Sequence, residues 1–294
     1  MKKNLLSALS VLLTIFLLCA SILPVFASDD ANVFESVGVY LDGDENPHSF
    51  RTRLTFDPSS GRLTIDEDAG NILSIDHTDD LLHWIRPIAD RVKTVYLTKT
   101  SILSHFTNDE HVLAAYPFHR AFAYLTNLER FEVEKGNETY KAVDGVLYTA
   151  EGLSLVHYPS AKPDKTYKID EHCIEGLEPY AFCNTKYLER LEFPYSRMAM
   201  TYFNIETYSL SAVDLDTGEA KESSIKTIVF YGSEKTFFYY NDFYEGNNVA
   251  HQAQVIFREP DAKQNVSSFF TAIGSYFRMF FKMIREFFSS LSFR

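Results

Sequence analysis

The sequence predicts a β-rich solenoid, a stack of short coils, and three observations carry that expectation. Four segments share one pattern: Val92-Lys93-Thr94-Val95-Tyr96-Leu97, Leu128-Glu129-Arg130-Phe131-Glu132-Val133, Leu188-Glu189-Arg190-Leu191-Glu192-Phe193 and Ile225-Lys226-Thr227-Ile228-Val229-Phe230. Each has apolar residues at its first, fourth and last positions and mostly polar ones between, so its second half alternates as a half-buried strand does. The segment Thr166-Tyr167-Lys168-Ile169-Asp170 keeps the alternating pair without the leading leucine. Second, the closing residues Leu97, Val133, Ile169, Phe193 and Phe230 follow one another at steps of 36, 36, 24 and 37 residues. These steps read as a coil of about two dozen residues with about a dozen more inserted in several turns. Third, Ala121-Phe122 with Leu128-Glu129-Arg130 recurs as Ala181-Phe182 with Leu188-Glu189-Arg190.

Such a coil cannot close a core alone, so the coils on either side must cover its apolar edge. The expected repeat core is Val95, Leu97, Phe131, Val133, Tyr167, Ile169, Leu191, Phe193, Ile228 and Phe230, running as one continuous spine. The strands should be short and parallel, joined by irregular or short helical returns. An elongated stack with an extended surface favours binding over catalysis.

Taken in order, residues 1–27 read as an export signal. Lys2 and Lys3 precede an apolar run from Leu5 to about Leu18, and Val25-Phe26-Ala27 offers small residues where a signal peptidase reads, so cleavage is expected after Ala27. The rival reading is a permanent membrane anchor; the polar Ser28-Asp29-Asp30 that follows favours cleavage. Residues 28–51 form an N-terminal segment with little pattern. The region 52–91 is expected to cap the stack. In it Arg53-Leu54-Thr55-Phe56 and Arg62-Leu63-Thr64-Ile65 alternate around Pro58-Ser59-Ser60-Gly61, a hairpin signal, and Leu81, Leu82, Ile85, Ile88 and Val92 recur at helical spacing, with Pro87 starting or ending that helix. The repeats are assigned to 92–258. Within them Asp144-Gly145 and Glu151-Gly152 punctuate Val146-Leu147-Tyr148 and Leu153-Ser154-Leu155-Val156, read as small strands turning out of the stack, and Asp214-Leu215-Asp216-Thr217-Gly218 marks a turn-rich excursion. Residues 259–266 are a linker.

The chain has 294 residues and a formal charge of −12; loss of Lys2 and Lys3 would make it −14. That acidic balance excludes nucleic acid as a partner, since phosphate binding requires a basic face. Of three cysteines, Cys173 and Cys183 would survive processing. A disulfide is allowed in an exported protein, whereas Cys173 at an inward-pointing position and Cys183 after Ala181-Phe182 also fit plain core roles.

No catalytic residue, cofactor site or metal site is expected. The histidines make no recognised metal spacing, and there is no nucleophile elbow, phosphate loop or dinucleotide fingerprint. His172 beside Cys173 resembles a base and nucleophile, but neighbours on a strand point to opposite faces. Asp42-Gly43-Asp44-Glu45 and Asp66-Glu67-Asp68 lack full calcium-loop spacing and read as solvated turns.

The phrase Gly136-Asn137, Tyr140, Asp144-Gly145-Val146-Leu147-Tyr148, then Tyr158-Pro159, Ile169, Ala181-Phe182 and Leu188 is similar to the repeat of BspA-type leucine-rich repeat proteins of bacterial surfaces. The resemblance extends over about residues 52–258, with Leu54 to Ile65 resembling the opening hairpin and Phe230-Tyr231-Gly232-Ser233-Glu234 with Gly246-Asn247-Asn248 the closing repeat. A tryptophan of the closing unit is replaced, with Phe237 and Phe238 near its place. The resemblance implies a secreted or surface-displayed leucine-rich repeat solenoid in the extracellular space or on the bacterial cell surface. Its expected partner is a protein or a host or neighbour cell surface, and no shared catalytic residues are implied.

Residues 267–294 change character, to an amphipathic helix with a wide aromatic face. Thr271, Ser275, Arg278, Lys282, Arg285 and Ser289 fall in one narrow arc, and large apolar residues occupy the rest. Arg278, Lys282, Arg285 and Arg294 against Glu286 make the segment +3, leaving −17 on the remainder of the processed chain. Spanning a bilayer would bury cations in hydrocarbon. The expected contact residues, with a membrane interface or a partner, are Phe277, Arg278, Phe280, Phe281, Lys282, Ile284, Arg285 and Phe288. The alternative is that this helix folds back to cover the last coil.

Overall fold

The computed structural model describes residues 32–41, 47–66, 81–101, 103, 117–194, 203–206, 208–232, 234, 246–259 and nine positions between 270 and 284. The expected leader, 1–27, lies outside the described residues, as do Asp42-Gly43-Asp44-Glu45, Glu67-Asp68, Phe237, Phe238, Lys282, Arg285 and Phe288.

Strands β1 (Val33–Leu41), β2 (Pro47–Asp57) and β3 (Arg62–Asp66) form an antiparallel meander. The N-terminal segment, read as having little pattern, contributes strand β1. The β2–β3 turn is closed by Asp57, whose carboxylate accepts hydrogen bonds from the Ser59 amide (2.9 Å), the Ser59 hydroxyl (2.7 Å) and the Ser60 hydroxyl (2.6 Å). These bonds hold its carboxyl down at about 2. Gly61 ends the turn at φ +70, where an added Cβ would lie 2.8 Å from the Arg91 carbonyl oxygen.

Residues 81–85 are helical and continue into a 3₁₀ turn, Arg86–Ile88, with Pro87 in its opening positions. Leu81, Leu82, Ile85, Ile88 and Val92 are all buried, as their spacing requires. Strands β4 (Thr94–Leu97) and β5 (Arg130–Val133) then add to β3 in parallel, pairing Leu63, Val95 and Phe131 in one row and Ile65, Leu97 and Val133 in the next. Their return is helix α1 (Pro117–Tyr124), which buries Ala121 and Phe122. The matching Ala181-Phe182 is equally buried but lies in consecutive turns.

The chain continues through β6 (Tyr140–Val143), β7 (Val146–Thr149), β8 (Ser154–His157), β9 (Thr166–Lys168), β10 (Gly176–Leu177), β11 (Arg190–Glu192), β12 (Asn204–Ile205), β13 (Thr227–Tyr231), helix α2 (Asn248–Gln252) and β14 (Gln254–Arg258). β6, β7 and β8 form a second meander, and β8, β10 and β12 run parallel beyond it. Here too the structure corrects the reading. Val146, Leu147, Tyr148, Leu155 and Val156 are buried within this sheet and do not turn out of a stack, and Leu153 packs beside it against Ile174. β9, β11, β13 and β14 form a third, all-parallel sheet.

The single spine is divided. Within the third sheet Tyr167, Leu191, Ile228 and Val255 share a row, and Ile169, Phe193 and Phe230 close the next. Among the described residues no ladder joins β5 to β9: the amide of Phe131, on the open edge of β5, donates to Gly145 in the β6–β7 turn at 2.8 Å. Leu97 and Val133 belong to one apolar cluster, Ile169, Phe193 and Phe230 to another. That turn is Asp144-Gly145, both at positive φ (49 and 76), the two-residue loop that suits strand twist.

Outside the strands, the returns meet across the break. The Ala161 amide donates to Leu128 at 2.7 Å, the Lys186 amide to Ser160 at 2.8 Å, and the Lys186 ammonium to Asn127 at 2.7 Å. A left-handed corner repeats at Tyr180 (φ 62), Tyr208 (φ 66) and Gly246 (φ 63), with the two tyrosine rings stacked 5.6 Å apart.

Candidate binding surfaces

Because side chains alternate across a strand, burial of one row fixes the other. Val95, Leu97, Phe131, Ile169, Leu191, Phe193, Ile228 and Phe230 are buried, and Val133 and Tyr167 are half-buried at the margins of their clusters. Tyr167 keeps its hydroxyl 2.6 Å from that of Tyr148. The opposite faces of the parallel ladders carry polar residues, interrupted in the third sheet by buried Val229 and half-buried Ile256.

In the first sheet the polar residues are Arg62, Tyr96, Arg130 and Glu132. Arg62 lies 3.9 Å over the Tyr96 ring, and Arg130 donates to Glu132 at 2.9 Å. The third sheet repeats the arrangement with Arg190, Glu192 and Tyr231. Arg190 Nε donates to Glu192 Oε1 at 2.6 Å, and the Tyr231 hydroxyl donates to Oε2 at 3.0 Å. Partial burial opposes ionisation of Glu192, but these two donors together hold its carboxyl below the ordinary range. Lys168 and Arg258 flank the group on neighbouring strands. An Arg-x-Glu pair thus stands on both faces because the same sentence, Leu-Glu-Arg, builds both strands.

Cys173 and Cys183 are both free and fully buried. Burial pushes the Cys183 thiol up to about 12 and the Cys173 thiol well above its usual value, so neither supplies a thiolate. His172 is turned to Asp170, its Nδ1 2.8 Å from Oδ1, whereas Cys173 Sγ points to the Gly176 carbonyl at 3.4 Å. Among the described residues no group of three or more His, Cys, Asp or Glu side chains could hold a metal ion. Asp66, named above in a candidate calcium turn, accepts from the Thr98 hydroxyl at 2.9 Å.

His157 was not singled out by the sequence. It is fully buried in β8 with its ring edge-on to Phe122 and Phe131, each 5.7 Å away, and neither nitrogen has a hydrogen-bond partner among the described residues. Burial lowers its pKa to about 3, so the imidazole is neutral.

Of the C-terminal contact residues, Phe277, Phe280 and Phe281 are exposed, and Arg278 and Ile284 are half-buried. Arg278 donates to the Glu151 carbonyl at 3.2 Å. With Lys141, Tyr148, Asp170 and His172 it lines a cavity of about 50 Å³. Burial and the nearby Arg278 both lower the pKa of Lys141. No helix among the described residues is long and apolar enough to cross a membrane.

No protein-family model matches the chain, and no curated protein sequence does. Two solved structures align with it. The pneumococcal vaccine antigen PcpA is 23% identical, with a TM-score of 0.29, over 47% of this chain and 29% of that one. A leucine-rich repeat protein from Eubacterium ventriosum is 14% identical, with a TM-score of 0.26, over 71% of this chain and 82% of that one. The chain thus spans less than a third of the pneumococcal protein and most of the Eubacterium one.

Proposed function

We propose that the protein is a non-enzymatic leucine-rich repeat solenoid of the BspA type, exported and displayed outside the cell, whose outward ladder faces bind a protein partner or an opposing cell surface. One observation carries this reading: the hydrogen-bonded group of Arg190, Glu192 and Tyr231 on the third sheet, flanked by Lys168 and Arg258, which offers fixed charges and an aromatic ring on a parallel ladder. Such surfaces specify partners by electrostatic complementarity and aromatic anchors. The two buried thiols, held in their protonated form, support binding over turnover.

The test places a photo-crosslinking residue at Lys168 and, separately, at Glu222, an exposed residue outside the strands. A discrete adduct from cell-surface extracts at Lys168, absent at Glu222, is expected. Purified adduct partner should then bind Glu192→Arg at least about tenfold more weakly, a loss of about 1.4 kcal/mol, with thermal stability retained. Equal adducts at both positions, or unchanged affinity in the variant, would remove the ladder face from the binding site.

A further inference from the structure

Among the described residues, the C-terminal helix reaches the rest of the chain through Arg278, on its polar side. On a helical wheel Arg278 lies in the polar arc with Thr271, Ser275, Lys282 and Arg285, opposite the aromatic side. It is Arg278 that reaches the Glu151 carbonyl, beside Lys141 and the His172–Asp170 pair. The aromatic side faces away, with Phe277 at 59% exposure and Phe281 at 63%, and Ile273, Phe280 and Met283 also exposed. An amphipathic helix that served as a lid would do the reverse, burying its apolar side and wetting its charges. The contact it makes is with the turn at 150–152.

Phe277, Phe280 and Phe281 alone leave on the order of 350 Å² of apolar surface in water, within the range of the biggest patch on an ordinary monomer. We infer that this aromatic face seats in the interfacial layer of an anionic lipid bilayer, with the helix parallel to the surface. Charge selects this occupant. The segment 267–294 carries +3 on a chain whose processed remainder is −17. Two copies packed face to face would bring those like charges together, whereas anionic headgroups neutralise them. Phenylalanine-rich faces with flanking Lys and Arg suit the boundary between headgroups and acyl chains. The Arg278–Glu151 contact then holds the acidic repeats on the aqueous side. This inference stands apart from the reading of the ladder faces.

The experiment uses the full chain carrying Phe277→Trp, a conservative reporter beside the native Trp84. Vesicles of phosphatidylcholine with about a quarter phosphatidylglycerol are expected to shift the emission of the introduced indole to the blue, and brominated acyl chains to quench it. The further change Phe280→Ser with Phe281→Ser, at exposed positions, should weaken partitioning at least about tenfold without altering the melting temperature. Because the reporter is local, an N-terminal apolar segment cannot produce the signal. An unshifted reporter overturns the inference. So does an emission shift that depends on protein concentration without lipid, which would assign the face to a second copy, and so does equal partitioning of the serine variant.

Discussion

The hydroxyl of Tyr124 lies 2.8 Å from Oδ1 of Asp216, 92 residues further along the chain. Arg86 completes the contact, donating to the Tyr124 oxygen at 3.0 Å and pairing with Asp216 at 2.7 Å. The Leu215 carbonyl also lies 3.1 Å from the same hydroxyl. The turn-rich excursion at 214–218 therefore straps the segment before β13 to α1 and the early 3₁₀ turn. Asp214 shapes that strap by accepting from the amides of Asp216 (3.0 Å) and Thr217 (3.1 Å), while Gly218 turns at φ +74.

A double-mutant cycle of Tyr124→Phe and Asp216→Ala should give a coupling of about 0.5–1.5 kcal/mol. Asp216 and Arg86 are largely exposed, which keeps the figure at the low end in salt. Chemical denaturation of the four proteins measures it, and strict additivity would show that the strap is not formed in solution.

His157 sets an acid limb on stability. In the unfolded chain its imidazole titrates near about 6.5, and in the folded chain only at about 3. Through that window the unfolded state holds a proton that the folded state refuses, so stability falls as pH falls, by up to about 1.4 kcal/mol per pH unit. His157→Phe should flatten the slope between roughly pH 6 and roughly pH 4. Any packing cost of the larger ring is common to all pH values, so comparing urea midpoints across the range isolates proton linkage. Parallel wild-type and variant profiles would contradict the burial of the ring.

The divided core makes a claim about additivity. Phe131→Ala in the first cluster and Leu191→Ala in the second should each cost about 2–5 kcal/mol. Their effects should add within about 0.5 kcal/mol, because the residues belong to separate clusters. Leu191→Ala with Ile228→Ala, register neighbours on β11 and β13, should not add. Unfolding by denaturant, monitored at the peptide bond, distinguishes the two cases.

Gly176 permits the closest approach in the second sheet. A Cβ there would lie 2.0 Å from the Asn204 carbonyl oxygen, on strand β12, and the backbone sits at φ +150. Gly176→Ala should separate β10 from β12, with faster hydrogen exchange of the Asn204 and Glu206 amides, which donate to Glu175 and Leu177. Unchanged protection of both amides would refute the steric argument.

The thiols provide a further check. Cys173 and Cys183 should resist an aromatic disulfide reagent in native buffer and react together only on unfolding, because burial suppresses both thiolates. Rapid reaction of either in the native state would place it at the surface.

What was legible in the sequence is what periodicity encodes. Leu191, Phe193, Ile228 and Phe230 alternate with polar residues, and the β2–β3 turn uses Pro, Ser and Gly, so local pattern and fold agree there. The left-handed corner was not legible, since it is filled by Tyr180, Tyr208 and Gly246, and two of these are residues that seldom adopt positive φ. The ladder of β8, β10 and β12 was missed because two of its strands are two residues long, too short for alternation to register. His157 carries no spacing signal, and the outward aromatic face of the last helix follows from where Arg278 is bound, a tertiary fact that no wheel contains.

The Gly145 carbonyl that receives the Phe131 amide has a bearing on solubility. An unpaired strand edge invites the edge of another molecule, and parallel stacks with identical repeat sentences are especially open to such mispairing. By folding its own β6–β7 turn over β5, the chain occupies a hydrogen-bonding position that a neighbour would otherwise seek. The interruption of the ladder thereby serves as a self-made guard against fibrous association.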